Sequence, residues 1–411
     1  MGMNSTPSGE RIHISFFGRT NAGKSSVLNA VTGQDLAVVS DVKGTTTDPV
    51  MKAMELLPLG PVVMIDTPGI DDEGELGALR VKKSYQILNK TDAAVLVVDG
   101  TQGFGDAERA LLARIQAKKL PCVIAWNKSD LADVPPAGLP AGWGGPEDPD
   151  GERHALVGVS ARSGQGIEEL KECLARLGRQ EESGRRIIAD LLSPGDTVLL
   201  VVPIDKAAPK GRLILPQQQT IRDILEAGAF SMVVRETGVK EALERLAGRP
   251  RLVVTDSQVF KRVSADTPED IPLTSFSILF ARYKGELFPM VQGIKALDSV
   301  RDGDKILICE GCTHHRQCND IGTVKLPGWI RAYTGASPEF VFTSGTEFPD
   351  DLSPYHMIIH CGGCMLNARE MRYRLQCAQD QGIPMTNYGM IIAHTQGILR
   401  RSLEPFSEGL R

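Results

Sequence analysis

The sequence carries no excess of basic charge: 46 Lys and Arg stand against 51 Asp and Glu, a net charge of −5 at neutral pH. The basic doublets Lys82-Lys83, Arg185-Arg186 and Arg400-Arg401 are short and scattered, as on a solvated surface. A nucleic-acid partner usually needs a basic face, so none is expected. No apolar run approaches the ~20 residues that cross a bilayer. The polar stretch 1–11 also lacks an apolar signal-peptide core. The expectation is therefore no membrane association and a cytoplasmic location. Internal repeats and low-complexity tracts are missing too. Cysteine is sparse, with 8 in 411 residues, and in a reducing compartment disulfides are not expected. Clustered cysteines then read as ligands and isolated ones as small buried hydrophobes.

A chain of 411 residues should divide into two or three domains, because single cores rarely grow past ~250–300 residues. The expected fold class is α/β, in three domains. A P-loop domain with a mostly parallel sheet would occupy 1–180. A small α/β middle domain would occupy 185–268, and an α/β cluster-binding domain 271–411. In the first, 11–17, 62–66, 93–99, 121–127 and 155–159 read as strands. Most are short apolar runs, the pattern of parallel strands covered on both faces. Stretches 24–32, 77–88, 106–118 and 166–177 read as helices, and the Pro- and Gly-rich 133–151 as an exposed excursion. The middle block reads as strands at 196–202, 230–234 and 251–255, with helices at 220–226, 240–246 and 257–263. It carries no recognisable chemistry and suits structure or self-association. The last block reads as a helical start over 274–297, strands at 305–309, 340–343 and 355–360, and a helix at 366–379.

Gly18-Arg19-Thr20-Asn21-Ala22-Gly23-Lys24-Ser25, followed by Ser26, fits the phosphate-loop pattern between a strand and a helix. Its glycines let backbone amides wrap phosphates, with the helix N-terminus behind them. Lys24 would reach the β- and γ-phosphates and Ser25 would ligate Mg²⁺. Asp66-Thr67-Pro68-Gly69 ends a strand and supplies a carboxylate for the same ion. Asn127-Lys128-Ser129-Asp130 follows another strand, where the Asp130 carboxylate can pair with the guanine N1–H and 2-amino group. Ser160-Ala161-Arg162 follows the last strand as the base-side loop. Four such stretches in this order point to GTP. After Gly69 stands Ile70, which cannot orient a water by hydrogen bonding. A cation beside the phosphates could take the role of an arginine finger instead.

The second constellation is Cys312-Thr313-His314 and then His360-Cys361-Gly362-Gly363-Cys364. Cys361 and Cys364 can share one metal or cluster, and Gly362 and Gly363 let the backbone curl and aim amides at sulfur. Cys312 and Cys361 each follow a strand, which would put both at the carboxyl ends of one parallel sheet, where such folds build their crevices. His314, His315 and His360 lie nearby. Spacing alone leaves a structural zinc of Cys3His type and an iron–sulfur cluster equally open. Cys122 and Cys173 read as core. Cys309, Cys318 and Cys377 read as non-ligands, Cys309 with a smaller chance of a supporting role at the site. His356 and His394 read as structural or surface.

Two resemblances sharpen this. The first block resembles the Era/TrmE group of bacterial GTPases, carried by Asn21 and by Gly44-Thr45-Thr46-Thr47-Asp48. It implies that Asn21 helps hold K⁺ at the phosphates, that Thr46, ahead of Thr45 or Thr47, is the switch ligand to Mg²⁺, and that slow hydrolysis is faster in K⁺. Lys24, Asn21 and Thr46 are then the catalytic candidates. The whole chain resembles the FeFe-hydrogenase maturation GTPases, the HydF family. The resemblance rests on Cys-x-His, about 45 intervening residues and His-Cys-x-x-Cys downstream of such a G domain, with Asp320-Ile321-Gly322-Thr323-Val324-Lys325-Leu326-Pro327 beside it. It implies a 4Fe–4S cluster on Cys312, Cys361 and Cys364, with a fourth ligand that varies. His314, His360, Glu310, a more distant carboxylate or water could each serve, or His360 could instead hydrogen-bond a sulfur. It implies a scaffold that receives a transient diiron subcluster made with two radical-SAM maturases and passes it to apo FeFe-hydrogenase. It also implies self-association, as a dimer or tetramer, through the middle block. The alternative is an Era-type RNA- or ribosome-associated GTPase with a structural zinc.

Overall fold

The computed structural model describes residues 8–34, 49–57, 59–71, 74–131, 153–179, 185–204, 213–311, 321–345 and 347–406. The chain divides into two compact units, 1–184 and 185–411. The switch stretch 44–48 with Thr46, the excursion 133–151, and Cys312, His314, His315 and Cys318 lie outside the described residues.

The first unit runs β1 (Ile12–Phe17), α1 (Lys24–Thr32), β2 (Val50–Leu56), β3 (Gly60–Asp66), α2 (Gly74–Ile87), β4 (Ala93–Asp99), α3 (Asp106–Ala117), β5 (Cys122–Asn127), β6 (His154–Gly158) and α4 (Ile167–Arg179). Its sheet has the order β2-β3-β1-β4-β5-β6, parallel except for β2 against β3. Every residue of β4 and β5 is buried, as expected for strands covered on both faces. One apolar layer joins Val27, Leu28 and Val31 of α1 to Leu170 and Leu174 of α4 over one face of the sheet. The other joins Leu111, Leu112 and Ile115 of α3 to Leu96, Ile124 and Trp126. The parallel strands stop with their carboxyl ends on one edge, and Gly18, Thr67, Gly100 and Lys128 begin the loops there.

The second unit runs β7 (Thr197–Val201), α5 (Leu215–Glu226), β8 (Phe230–Val234), α6 (Val239–Arg245), β9 (Leu252–Thr255), α7 (Phe260–Asp266), β10 (Leu273–Ser275), α8 (Phe276–Lys284), α9 (Leu287–Gly293), β11 (Lys305–Glu310), α10 (Leu326–Thr334), β12 (Glu339–Ser344), β13 (Met357–His360), α11 (Ala368–Asp380), β14 (Met385–Asn387), α12 (Tyr388–Thr395) and α13 (Leu399–Leu403). Two four-stranded parallel sheets result, β10-β9-β7-β8 and β12-β11-β13-β14. The helical start expected at 274 is corrected: Leu273–Ser275 is a strand paired with β9, and the helix begins at Phe276. Ser275 caps that helix, its hydroxyl accepting from the Ile278 amide, so the strand ends where the helix can start. Apolar residues of α8, Ile278, Leu279 and Phe280, share one core with Leu199 of β7 and Val253 of β9, and with Leu307 and Ile358 of the last sheet. Both sheets of this unit therefore lean on α8. Among the described residues, no helix is long and apolar enough to cross a membrane.

Candidate functional sites: a phosphate loop and a cysteine loop

In the first unit, the turn from β1 into α1 places residues 18–23 over the carboxyl edge of the sheet. Gly23 has φ +90°, and a Cβ there would fall 2.3 Å from the Asn127 side-chain nitrogen. Only glycine satisfies both conditions. Asn21 sits at φ +63°, a left-handed conformation that asparagine tolerates better than most residues. Lys24 is buried and donates to the carbonyls of Gly18 (3.1 Å) and Arg19 (2.8 Å). Ser26 follows it on the first turn of α1.

Ser25 Oγ donates to Asp66 Oδ2 at 2.6 Å. The other oxygen, Asp66 Oδ1, is buried without a hydrogen-bond partner. Burial pushes the Asp66 carboxyl up from its ordinary value, against the hydrogen bond from Ser25 and the charge of Lys24. A hydroxyl beside an unsatisfied carboxylate oxygen is a donor set that fits a hard divalent cation such as Mg²⁺.

Asn127 joins the phosphate loop to the base-side loops. Its Nδ2 donates to Ala22 O (3.0 Å) and its Oδ1 accepts from the Ala161 amide (3.2 Å). Ser160 is buried, and its hydroxyl accepts from the Ser163 amide. Lys128, at φ +63°, donates to Asp99 Oδ2 at 2.6 Å. Asp130 is exposed two residues further along the same loop. Gly69 packs against Thr20, and Ile70 is buried in the apolar layer, its amide bonded to Gly18 O.

Sequence reasoning found Gly18, Arg19, Thr20, Ala22 and their neighbours by motif but missed what braces them. Arg19 pairs with the fully buried Glu108 and donates to Gly103 O at 2.7 Å. The Thr20 amide donates to Asp71 Oδ1 at 2.7 Å. Asp99 was read only as the end of a strand.

In the second unit, β11 and β13 run parallel with Cys309 opposite His360, so Gly311 and Cys361 leave the sheet on the same edge. The Gly311 amide donates to Cys361 Sγ at 3.0 Å, and the Gly363 amide to the same sulfur at 3.4 Å. Gly363 takes φ +61°, and a Cβ there would meet Met371 Sδ at 2.6 Å. Burial pushes the Cys364 thiol up, with the charge of Lys284 opposing it. Among the described residues no group of three His, Cys, Asp or Glu side chains could by itself hold a metal ion. Two thiols on a curled loop, with the Gly311 and Gly363 amides aimed at the Cys361 sulfur, are donors of a chemistry that fits a thiolate-held cluster.

His360 is fully buried, and both its ring nitrogens are engaged. Nδ1 bonds Cys361 O (2.8 Å), and Nε2 meets Arg374 Nη1 (3.0 Å). A carbonyl only accepts and a guanidinium only donates, so Nδ1 carries the proton and Nε2 accepts. Burial first, and the Arg374 charge second, push its pKa down to about 3. In this arrangement neither nitrogen is free to bind iron or to donate to a sulfur, and the ring instead holds the Cys361 carbonyl. Arg374 is held in turn by Glu370 Oε1 (2.9 Å) and Gly345 O (2.9 Å). Glu310 Oε1 accepts from the Tyr388 hydroxyl at 3.3 Å.

The other described cysteines are not on this loop. Cys309 is buried and takes a hydrogen bond from Thr343 Oγ1, and burial pushes its thiol up to about 11. Cys122 is buried in β5 and pushed up to about 12. Cys173 and Cys377 are half-buried on α4 and α11.

Comparison with known proteins gives three matches along the chain. Residues 13–128 match the model described as 50S ribosome-binding GTPase. Residues 187–285 match the hydrogen maturase F dimerization domain and 288–405 its tetramerization domain. The first of these two matches takes in β10 and α8. Similar relatives include the tRNA modification GTPase MnmE of Laribacter hongkongensis, 34% identical over 42% of this chain and 36% of its own. That of Synechococcus sp. (strain JA-2-3B'a(2-13)) is 37% identical over 41% and 34%. GTPase Der of Sulfurimonas denitrificans is 34% identical over 30% and 25%. The chain thus spans about a third or less of the length of these relatives. Among solved structures, Aquifex aeolicus Era bound to GDP and AlF4⁻ is 19% identical, covering 54% of this chain and 92% of its own, with a TM-score of 0.34.

Proposed function

With its two hydrogen maturase F domains over 187–285 and 288–405 behind a GTPase domain, the chain belongs to the hydrogen maturase F family, and we propose that it is a GTP-hydrolysing, 4Fe–4S-binding scaffold that delivers a diiron subcluster to apo FeFe-hydrogenase. The observation that carries the cluster half of this reading is the 3.0 Å bond from the Gly311 amide to Cys361 Sγ. It brings the residue before Cys312 against the Cys-Gly-Gly-Cys loop.

The GTP half rests on the phosphate loop. Lys24, now on the carbonyls of Gly18 and Arg19, would turn to the β- and γ-phosphates. Ser25 and Asp66 would hold Mg²⁺, with Thr46 as the switch ligand. Asn127 would keep the phosphate loop and the 160–162 loop at a fixed separation while Asp130 reads guanine. Because buried Ile70 cannot orient water, charge stabilisation falls to Lys24 and to a K⁺ held with the help of Asn21.

Cys361 and Cys364, with Cys312, would hold the cluster, which when bound supplies an iron site able to accept an outside ligand. His360, through the Cys361 carbonyl, and Arg374 behind it would fix the loop. The diiron unit is cargo, received from reactions of two radical-SAM maturases and handed on. The dimerization and tetramerization domains provide for self-association.

Iron, sulfide and zinc analysis with EPR on anaerobically purified and reconstituted protein tests the reading, wild type beside Cys361→Ala. About four irons and four sulfides per chain, with a reduced-cluster signal lost in the variant, is the expected result. One tightly held zinc and no reconstitutable cluster would overturn it in favour of a structural zinc site.

A further inference from the structure

Lys284 is the last residue of α8, within the stretch that matches the dimerization domain. It is only 2% exposed. A buried ammonium is strongly unfavourable unless its donors are matched. Here the cysteine loop matches them: Lys284 Nζ donates to the carbonyls of Gly363 (3.0 Å), Cys364 (3.0 Å) and Leu366 (2.6 Å). Three backbone carbonyls from one short stretch converge on one cation. The same stretch presents the Gly363 amide to Cys361 Sγ. The helix is itself anchored to the neighbouring strand end, with Ser277 O accepting from Asn387 Nδ2 (2.8 Å) and Ser277 Oγ from the Gly389 amide. An ammonium held against three carbonyls of a single loop, at the end of an anchored helix, is placed to shape that loop.

We propose that Lys284 is a positioning residue of the cluster site: its buried ammonium holds the 361–366 backbone in its curl, and its charge raises the reduction potential of a 4Fe–4S cluster bound there. The second half rests on the cluster reading above. A fixed positive charge beside the loop favours the reduced cluster, which carries one more electron, and cluster potentials respond to nearby charge. The first half does not depend on the cluster, because the carbonyl contacts belong to the protein alone.

The full chain is compared as wild type, Lys284→Met, Lys284→Gln and Lys284→Arg, with circular dichroism melts to identify the folded variants. In metal-free protein, iodoacetamide labelling of Cys364 is followed by mass spectrometry across a pH series against Cys173 as internal reference, so that the rate per thiolate is compared and the loss of the Lys284 charge does not mask an opened loop. Lys284→Met should label Cys364 on the order of tenfold faster, Lys284→Gln less so, and Lys284→Arg near the wild-type rate. In reconstituted protein, EPR-monitored redox titration should show the midpoint moving negative in both neutral variants and staying near wild type in the Arg variant. Unchanged labelling in the folded neutral variants would overturn the positioning role. An unchanged midpoint would overturn the charge effect. A wild type that takes up no cluster would instead overturn the cluster reading, and with it the charge effect, while the labelling still decides the loop contact. If Lys284→Met does not fold, Lys284→Gln carries both comparisons.

Discussion

The Gly311 amide and the Cys361 sulfur lie 3.0 Å apart, although fifty positions separate them in the chain. The parallel register of β11 and β13 produces this contact, since Cys309 stands opposite His360 and each chain leaves the sheet on the same edge. Amide bonds to sulfur stabilise thiolate over thiol, the form that binds iron.

Cys361→Ala and Cys364→Ala should each abolish reconstitution of a 4Fe–4S cluster, read as iron, sulfide and EPR signal. Cys309→Ala, two residues before the Gly311 contact, should keep full cluster content. Its thiol is buried in the core and held protonated, so the substitution costs only about 1 kcal/mol of stability from lost packing. Loss of the cluster in Cys309→Ala with the fold intact would place Cys309 among the ligands and contradict the assignment.

Ser25→Ala should raise the Mg²⁺ concentration that GTP hydrolysis needs, with a smaller effect on GDP binding. The hydroxyl satisfies Asp66 Oδ2 and would supply a ligand, while Asp66 Oδ1 has no hydrogen-bond partner. Wild-type hydrolysis should stop on EDTA treatment and return with Mg²⁺. An Mg²⁺ titration that superimposes for wild type and variant would remove Ser25 from the metal site.

Hydrolysis should run faster in KCl than in NaCl at equal ionic strength, by roughly tenfold, which corresponds to ~1.4 kcal/mol of transition-state stabilisation. Asn21→Ala should erase the difference between salts, while Lys24→Ala should lower the rate in both. Ile70 is buried at 5% exposure, so Ile70→Ala should cost stability without changing the salt preference. Equal rates in the two salts for wild type would exclude a K⁺ role.

Much of this was legible in the sequence, and the failures have physical causes. Apolar runs such as 93–99 and 121–127 were readable as buried parallel strands because both faces are covered. β2 was not, since four of its first five residues are exposed and it pairs antiparallel at the sheet edge. β10 and β14, three residues each, are too short to carry a period. The phosphate loop was legible because its spacing is local. Arg19 with Glu108, Lys128 with Asp99 and Lys284 with the cysteine loop were not, because each pair is made by the fold across 29 or more positions. A lysine near a helix end reads as solvated, and nothing local to Lys284 says otherwise. His360 could be read as a ligand or a support until the carbonyl on one nitrogen and the guanidinium on the other were seen.

The Lys128–Asp99 pair makes the stability of the first unit depend on acid. Burial alone would raise the Asp99 carboxyl, but hydrogen bonds from Lys128 and from the Thr101 hydroxyl and amide outweigh it, so its pKa is held below the ordinary 3.8. A carboxylate whose pKa is lower folded than unfolded binds more protons unfolded. Its contribution is therefore complete above the unfolded value and is lost as pH falls through the folded one. Asp99→Asn keeps the shape but not the charge. At neutral pH it should cost about 1.5–3 kcal/mol, the range for a hydrogen bond to a charged group. Near pH 4, the ordinary carboxyl value, the gap between variant and wild type should begin to narrow, and it should close as pH falls through the lower folded value. Urea unfolding followed by the fluorescence of buried Trp126, with Trp143 and Trp329 replaced by Phe in both proteins, reads the first unit alone. A gap that stays constant from neutral pH down to the acid limit would mean that the carboxylate's charge is not what Lys128 holds.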